Sequence, residues 1–222
     1  MIMTSLGQLD KSRRYTYTDY LNWNFPQRVE LIRGKVFPMA PAPLVSHQHM
    51  LVRLCNRFFN HFHHSPCNLL VAPVDVVLPG PDGEADTVLQ PDLIVVCDLK
   101  KLTKRNCTGA PDLVVEIISK STAHRDRNEK FKLYEHHGVK EYWIVDAYTQ
   151  TVEVFVRDPN GSFILGMKAL HGETVSSRCF PGLEVETGDV FNWIVEEPRL
   201  MYGVRRKKDE RMRGRGSRMV RM

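Results

Sequence analysis

Gln90-Pro91-Asp92-Leu93-Ile94-Val95-Val96 and Pro111-Asp112-Leu113-Val114-Val115-Glu116-Ile117-Ile118 are the stretches on which the fold turns. Each is a nearly continuous β-branched and apolar run, which predicts a core strand covered on both faces rather than one with a wet side. An ionised side chain in such a run costs several kcal/mol unless a partner charge, a metal or a site compensates. Asp92 and Glu116 therefore read as two members of one site on neighbouring strands.

Working outward, Met50, Leu51, Leu54, Cys55, Phe58, Phe59 and Phe62 recur at three- and four-residue intervals, predicting a helix over Ser46–Phe62 with one buried face. A second helix is expected from Thr122 to His137, ending at Gly138. Val29–Ile32 and Val36–Met39 flank Arg33-Gly34-Lys35 and read as a hairpin, and Leu69–Leu78 alternates around Asp75 as a strand. Tyr142–Asp146 is a further buried strand, and Thr151–Arg157 with Ser162–Leu165 brackets the turn signal Asp158-Pro159-Asn160-Gly161. Near the start, Thr18-Asp19 is the expected cap of a short helix carrying Tyr20, Leu21 and Trp23. This order predicts an α/β fold with a mixed β-sheet flanked by helices, and the sequence has no Gly-rich phosphate loop.

The chain has 222 residues, 42% of them hydrophobic, which suits one domain, placed at 15–200, after a loose segment at 1–14. No apolar run of about 18 residues occurs, so no membrane span is expected, and a cytoplasmic location fits. Five cysteines without a C-x-x-C spacing, with Cys55 and Cys97 in apolar surroundings, read as reduced thiols. The formal charge of +5 is misleading, because residues 203–222 hold nine Lys or Arg against two acids and leave the rest at −2. That tail reads as disordered, or as a phosphate binder without sequence preference.

Phosphodiester hydrolysis needs a divalent cation held by carboxylates and a positive group near the attacking water. Asp92 and Glu116 supply hard oxygen ligands for Mg²⁺ or Mn²⁺, the carbonyl of Ile117 adds another, and Lys130 is the candidate cation. Asp126 and Lys130 stand one helical turn apart, so an ion pair can hold the lysine. Asp112 also follows a proline but falls on the same strand as Glu116, at its other end, which favours Asp92. Asp75 reads either as a site residue or as an outward polar group, and His47 as a substrate-orienting residue or a plain helix-start histidine. His61, His63, His64 and Cys67 fit no usual zinc spacing.

Glu30-Leu31-Ile32-Arg33-Gly34-Lys35, Gln90-Pro91-Asp92, Val115-Glu116-Ile117-Ile118-Ser119, Arg125-Asp126 with Lys130, and Gly138-Val139-Lys140-Glu141-Tyr142-Trp143 together resemble the Uma2 family of restriction endonuclease-like proteins, over roughly residues 15–195. The resemblance implies a restriction-endonuclease-like fold of the PD-(D/E)XK superfamily, with Pro91-Asp92 and Glu116 around Mg²⁺. Where that signature has a lysine, two residues after the acid, this chain has Ile118. The family match places the lysine at Lys130 instead, and makes Glu30 an accessory acid that helps bind metal or water. The implied activity is Mg²⁺-dependent endonucleolytic hydrolysis of DNA, double-stranded by expectation and compatible with a homodimer. The rival is an inactive module of the same fold that binds nucleic acid or a protein partner.

Overall fold

The computed structural model describes residues 2–39 and 42–192, so the basic tail at 203–222 lies outside the described residues. In chain order the strands are β1 (Val29–Ile32), β2 (Lys35–Pro38), β3 (Asn68–Val71), β4 (Asp75–Pro79), β5 (Ala85–Leu89), β6 (Leu93–Val96) and β7 (Asn106–Thr108). They continue with β8 (Leu113–Ile118), β9 (Glu141–Asp146), β10 (Thr151–Arg157), β11 (Phe163–Leu170), β12 (Thr174–Ser176) and β13 (Glu184–Glu186). The α-helices are α1 (Tyr17–Tyr20), α2 (Val45–Phe62), α3 (Ala123–Arg125), α4 (Phe131–His137) and α5 (Thr187–Phe191).

A six-stranded sheet, ordered β11-β10-β9-β8-β6-β3, forms the middle layer, with β8 and β9 parallel and the other pairs antiparallel. Alternation along β8 decides what each face meets. Leu113, Val115 and Ile117 pack with Met50, Leu54, Phe58 and Phe62 of α2. Val114 and Ile118 point the other way, towards Leu133 and Tyr134 of α4 and towards a five-stranded sheet ordered β2-β1-β5-β4-β7. Both faces are covered, which is why β6 and β8 carry unbroken apolar runs and are buried throughout. Each fully buried aliphatic or aromatic side chain in these layers contributes about 1.5–3 kcal/mol.

The β1–β2 hairpin turns through Arg33 and Gly34, both at positive φ, as a two-residue turn of this kind requires. A Cβ on Gly34 would stand 2.8 Å from Cβ of Arg14, so the position is closed to other residues on two counts. The long helix after β8 is interrupted: Asp126–Lys130 is a π-helical turn between α3 and α4. Gly138, left-handed at φ 89°, ends α4 as expected.

The structure corrects several expectations. Leu69–Leu78 is two strands, β3 in the six-stranded sheet and β4 in the five-stranded one, with Pro73 between them. Two short strands in line alternate just as one long strand does, and only the proline, which cannot donate to a ladder, marks the break. The short strands β5 and β7 carried no hydrophobic period long enough to read. The cap of α1 is Thr16, with Asp19 completing the capping box, two residues earlier than expected. Phe59 is exposed rather than on the packed face of α2. Cys97 is not a free thiol: Asn68 of β3 lies opposite Val96 of β6, so Cys67 and Cys97 flank that pair and close a disulfide. Cys55, Cys107 and Cys179 are free. Of the leading segment, Leu6–Gln8 forms a 3₁₀ turn, and the amide of Asn24 donates to the carbonyl of Met3. No helix among the described residues is long and apolar enough to cross a membrane.

Candidate active site

Three carboxylates from three elements converge on one lysine. Lys130, at the end of the π turn, places Nζ 2.9 Å from Oε1 of Glu30 on β1, 2.9 Å from Oε1 of Glu116 on β8, and 3.4 Å from Oδ1 of Asp126. All four residues are nearly buried, with exposures of 2% for Glu30, 5% for Glu116, 3% for Asp126 and 5% for Lys130. Such a cluster survives in a core only when its charges and lone pairs are matched. The matching is extensive. Tyr134, one turn beyond Lys130, donates its hydroxyl to the same Oε1 of Glu116 at 2.9 Å, and the amide of Gln90 donates to Oε1 of Glu30 at 3.1 Å. Arg125, with its guanidinium 4.8 Å over the ring of Phe37, stands 3.7 Å from Oε2 of Glu30.

Asp92, at the entry to β6, accepts the amide of Ile117 through Oδ2 at 2.7 Å, which fixes its carboxylate beside Glu116 on the next strand. His47, in the first turn of α2, brings Nε2 to 3.2 Å from Oδ1 of Asp92. Apart from Tyr134 and Phe37, these groups line one cavity of about 680 Å³ together with several apolar side chains.

Burial raises the Glu116 carboxyl well above the ordinary carboxylate range; Lys130 opposes the shift, and the negative charges of Asp126, Asp92 and Glu30 reinforce it. Asp126 is raised as well, again chiefly by burial. Lys130 responds in the other direction: burial favours loss of its proton, but Glu116, Glu30 and Asp126 outweigh it and hold the ammonium well above its usual value. Burial, with Glu116 beside it, pushes the Tyr134 hydroxyl upward, so it stays a donor.

The structure thus brings together Asp92, Glu116, Lys130 and Glu30, and sets the backbone of Ile117 between the first two. Ile118 is 2% exposed and packs in the core with Val96, Val114, Tyr134 and Ile144, so the strand position two after Glu116 is a packing position here. Asp75 is a supporting residue: its Oδ1 accepts from Gln90 Nε2 at 2.8 Å and from the Tyr20 hydroxyl at 3.2 Å. Asp112 lies at the far end of β8, paired with Lys140 at 2.7 Å and accepting the amide of Cys97 at 2.7 Å. The His63 ring caps backbone carbonyls of α2 instead of meeting a zinc-like set. Sequence reading missed Tyr134, and it took Arg125 only as part of the family motif Arg125-Asp126, without a role in the site. The four-residue step from Lys130 to Tyr134 was a usable signal for the first, whereas the stacking of Arg125 on Phe37 joins elements that nothing in the sequence connects.

The sequence model of the Uma2 family, described as "Putative restriction endonuclease", matches residues 17–188. The chain belongs to the Uma2 family. It is similar to two uncharacterized proteins of Synechocystis sp.: slr1290, 26% identical over 159 residues that span 66% of this chain and 76% of the relative, and sll1609, 22% identical over 142 residues that span 63% and 77%. Its fold is similar to the crystal structure of a protein from Anabaena variabilis described as "a putative nuclease belonging to DUF820". The TM-score is 0.62 and the identity 17%, over 82% of this chain and 99% of that one. The Uma2 match spans every residue of the carboxylate cluster, from Glu30 to Lys130. The α/β architecture of mixed sheets flanked by helices is shared with that structure.

Proposed function

We propose that this Uma2 protein is a metal-dependent phosphodiesterase that hydrolyses DNA endonucleolytically, with Mg²⁺ or Mn²⁺ held by Asp92, Glu116 and the Ile117 carbonyl. The observation that carries the reading is the convergence of acids on the cavity: Glu30, Asp92, Glu116 and Asp126 line it against Lys130, with Arg125 3.7 Å from Glu30 and Arg28 also on the lining. Burying that much negative charge is unfavourable, and Glu116 shows the strain in its raised carboxyl. A divalent cation is the natural counter-charge.

The donor set fits such an ion. Among the described residues no three His, Cys, Asp or Glu side chains are grouped so that they could hold a metal ion, so it would rest on Asp92, Glu116 and the Ile117 carbonyl, and water and phosphate oxygens would complete the coordination, as Mg²⁺ prefers. When bound, the cation polarises the phosphoryl oxygen and acidifies water. The protein supplies the rest. Lys130, fixed between Glu30 and Glu116, offers its positive charge to the attacking oxygen and to the charge that develops on the phosphate. Tyr134 holds the Glu116 carboxylate in place, and His47 does the same for Asp92. Glu30 orients Lys130.

The test is cleavage of supercoiled plasmid by the full chain in Mg²⁺ or Mn²⁺. Nicking that disappears in EDTA and in Asp92→Ala is expected. Plasmid that is bound in EDTA but never cut with either metal would replace the hydrolase with a binding module.

A further inference from the structure

Three of the proposed catalytic groups are nearly buried within a half-open pocket, and Asp92 is partly exposed. Lys130, Glu116 and Glu30 are at most 5% exposed, and the way to them is the cavity of about 680 Å³. That volume lies in the range of about 300–1,000 Å³ typical of pockets that enclose a drug-sized molecule, the size class of a single nucleotide. The phosphates of a paired duplex line the outside of a stiff rod, which bends smoothly only over tens of base pairs. One duplex phosphate cannot drop into such a pocket while its nucleotide stays stacked and paired.

Pro43, Leu44 and Pro73 also line the cavity, with edges of the core residues Met50 and Leu51. Aliphatic side chains have nothing to offer a sugar–phosphate backbone, but they match the faces of an unstacked base, which otherwise stays in contact with water. Arg28 and Arg125 line the same cavity and supply cations for the phosphates on either side of the inserted nucleotide. From depth, volume and wall chemistry together we infer that the cavity takes an unpaired nucleotide, so that this protein cuts single-stranded or locally unpaired DNA in preference to paired duplex. The inference rests on the phosphodiesterase reading above and replaces the duplex that the family resemblance led us to expect.

The experiment compares initial cleavage rates of end-labelled oligonucleotides by the full chain in Mg²⁺ and in Mn²⁺. The substrates are a single strand, the same strand fully paired, the duplex with a short unpaired bulge, and a single strand of abasic residues that keeps every phosphate but no base. Cutting of the single strand and of the bulge at least tenfold faster than of the paired duplex, with the abasic strand at least tenfold slower than the normal one, is the expected result. Equal rates on paired and unpaired DNA, or an abasic strand cut as fast as a normal one, would overturn the inference and leave the phosphodiesterase intact. Failure to cut any of the four with either metal would remove both.

Discussion

Lys130→Met removes the ammonium and keeps most of the buried stem. Two ion pairs of 2.9 Å and one of 3.4 Å vanish together, and Glu30, Glu116 and Asp126 are left facing one another at exposures of 2%, 5% and 3%. Breaking a buried pair by deleting one partner costs about 3–5 kcal/mol. For a chain of this length each kcal/mol lowers the melting temperature by about 2–4 °C, so a drop of about 6–20 °C is expected. The penalty depends on pH in a definite direction. The Glu116 carboxyl is raised in the folded protein above its ordinary value of 4.5, so its contribution to stability is fully present below that pH and is lost as pH rises through the folded value. Removing Lys130 raises that value further, because the one favourable charge is gone. The gap between wild type and variant should therefore be wider at pH 8 than at pH 5. Circular-dichroism melts of both proteins in EDTA at the two pH values measure it, and Lys130→Met/Glu116→Gln should recover part of the loss, since the two sites are coupled. A variant melting within 2 °C (roughly the effect of 1 kcal/mol) of wild type at pH 8 would refute the claim that this lysine neutralises the cluster.

Tyr134→Phe deletes one hydrogen bond to Glu116, worth about 1.5–3 kcal/mol for a charged acceptor, so plasmid nicking should slow about tenfold or more while DNA affinity, read by fluorescence anisotropy, stays level. Asp112 is held below its ordinary 3.8 because Lys140 and the Cys97 amide outweigh its burial. Asp112→Asn should thus destabilise at pH 7 by about 1.5–3 kcal/mol, and urea melts should show the difference shrinking as pH falls below about 4, where the wild-type carboxylate also takes up a proton. The Cys67–Cys97 disulfide predicts that unfolded, unreduced protein titrates three thiols out of the five cysteines; a count of five would remove the bond from the structure.

The fold was legible where a period or a continuous run lasted long enough to leave one interpretation. Helix α2 shows five buried residues at three- and four-residue steps, β6 and β8 are unbroken apolar runs, and Gly34 and Gly138 mark ends that other residues fill poorly. Asp92 and Glu116 were legible because a carboxylate inside such a run demands compensation. Strands without an apolar run or a clean alternation were not: β5 is Ala85-Asp86-Thr87-Val88-Leu89 and β7 is Asn106-Cys107-Thr108, and the division between β3 and β4 rests on one proline.

The α/β class, helix α2, the two central strands and the two acids were thus readable from the chain alone, since burial period and the cost of a buried charge are local properties written residue by residue. Only the tertiary structure decided who compensates those acids. That Glu30 from β1, Glu116 from β8 and Asp126 from the π turn meet at Lys130 depends on how two sheets stack and on where an interrupted helix points its side chains. The same packing makes position 118 an apolar core position, puts Cys67 opposite Cys97, and buries Glu30, Glu116 and Lys130 along one cavity. These are distances between residues far apart in the chain, and they are set by the sum of many contacts rather than by any one stretch of sequence.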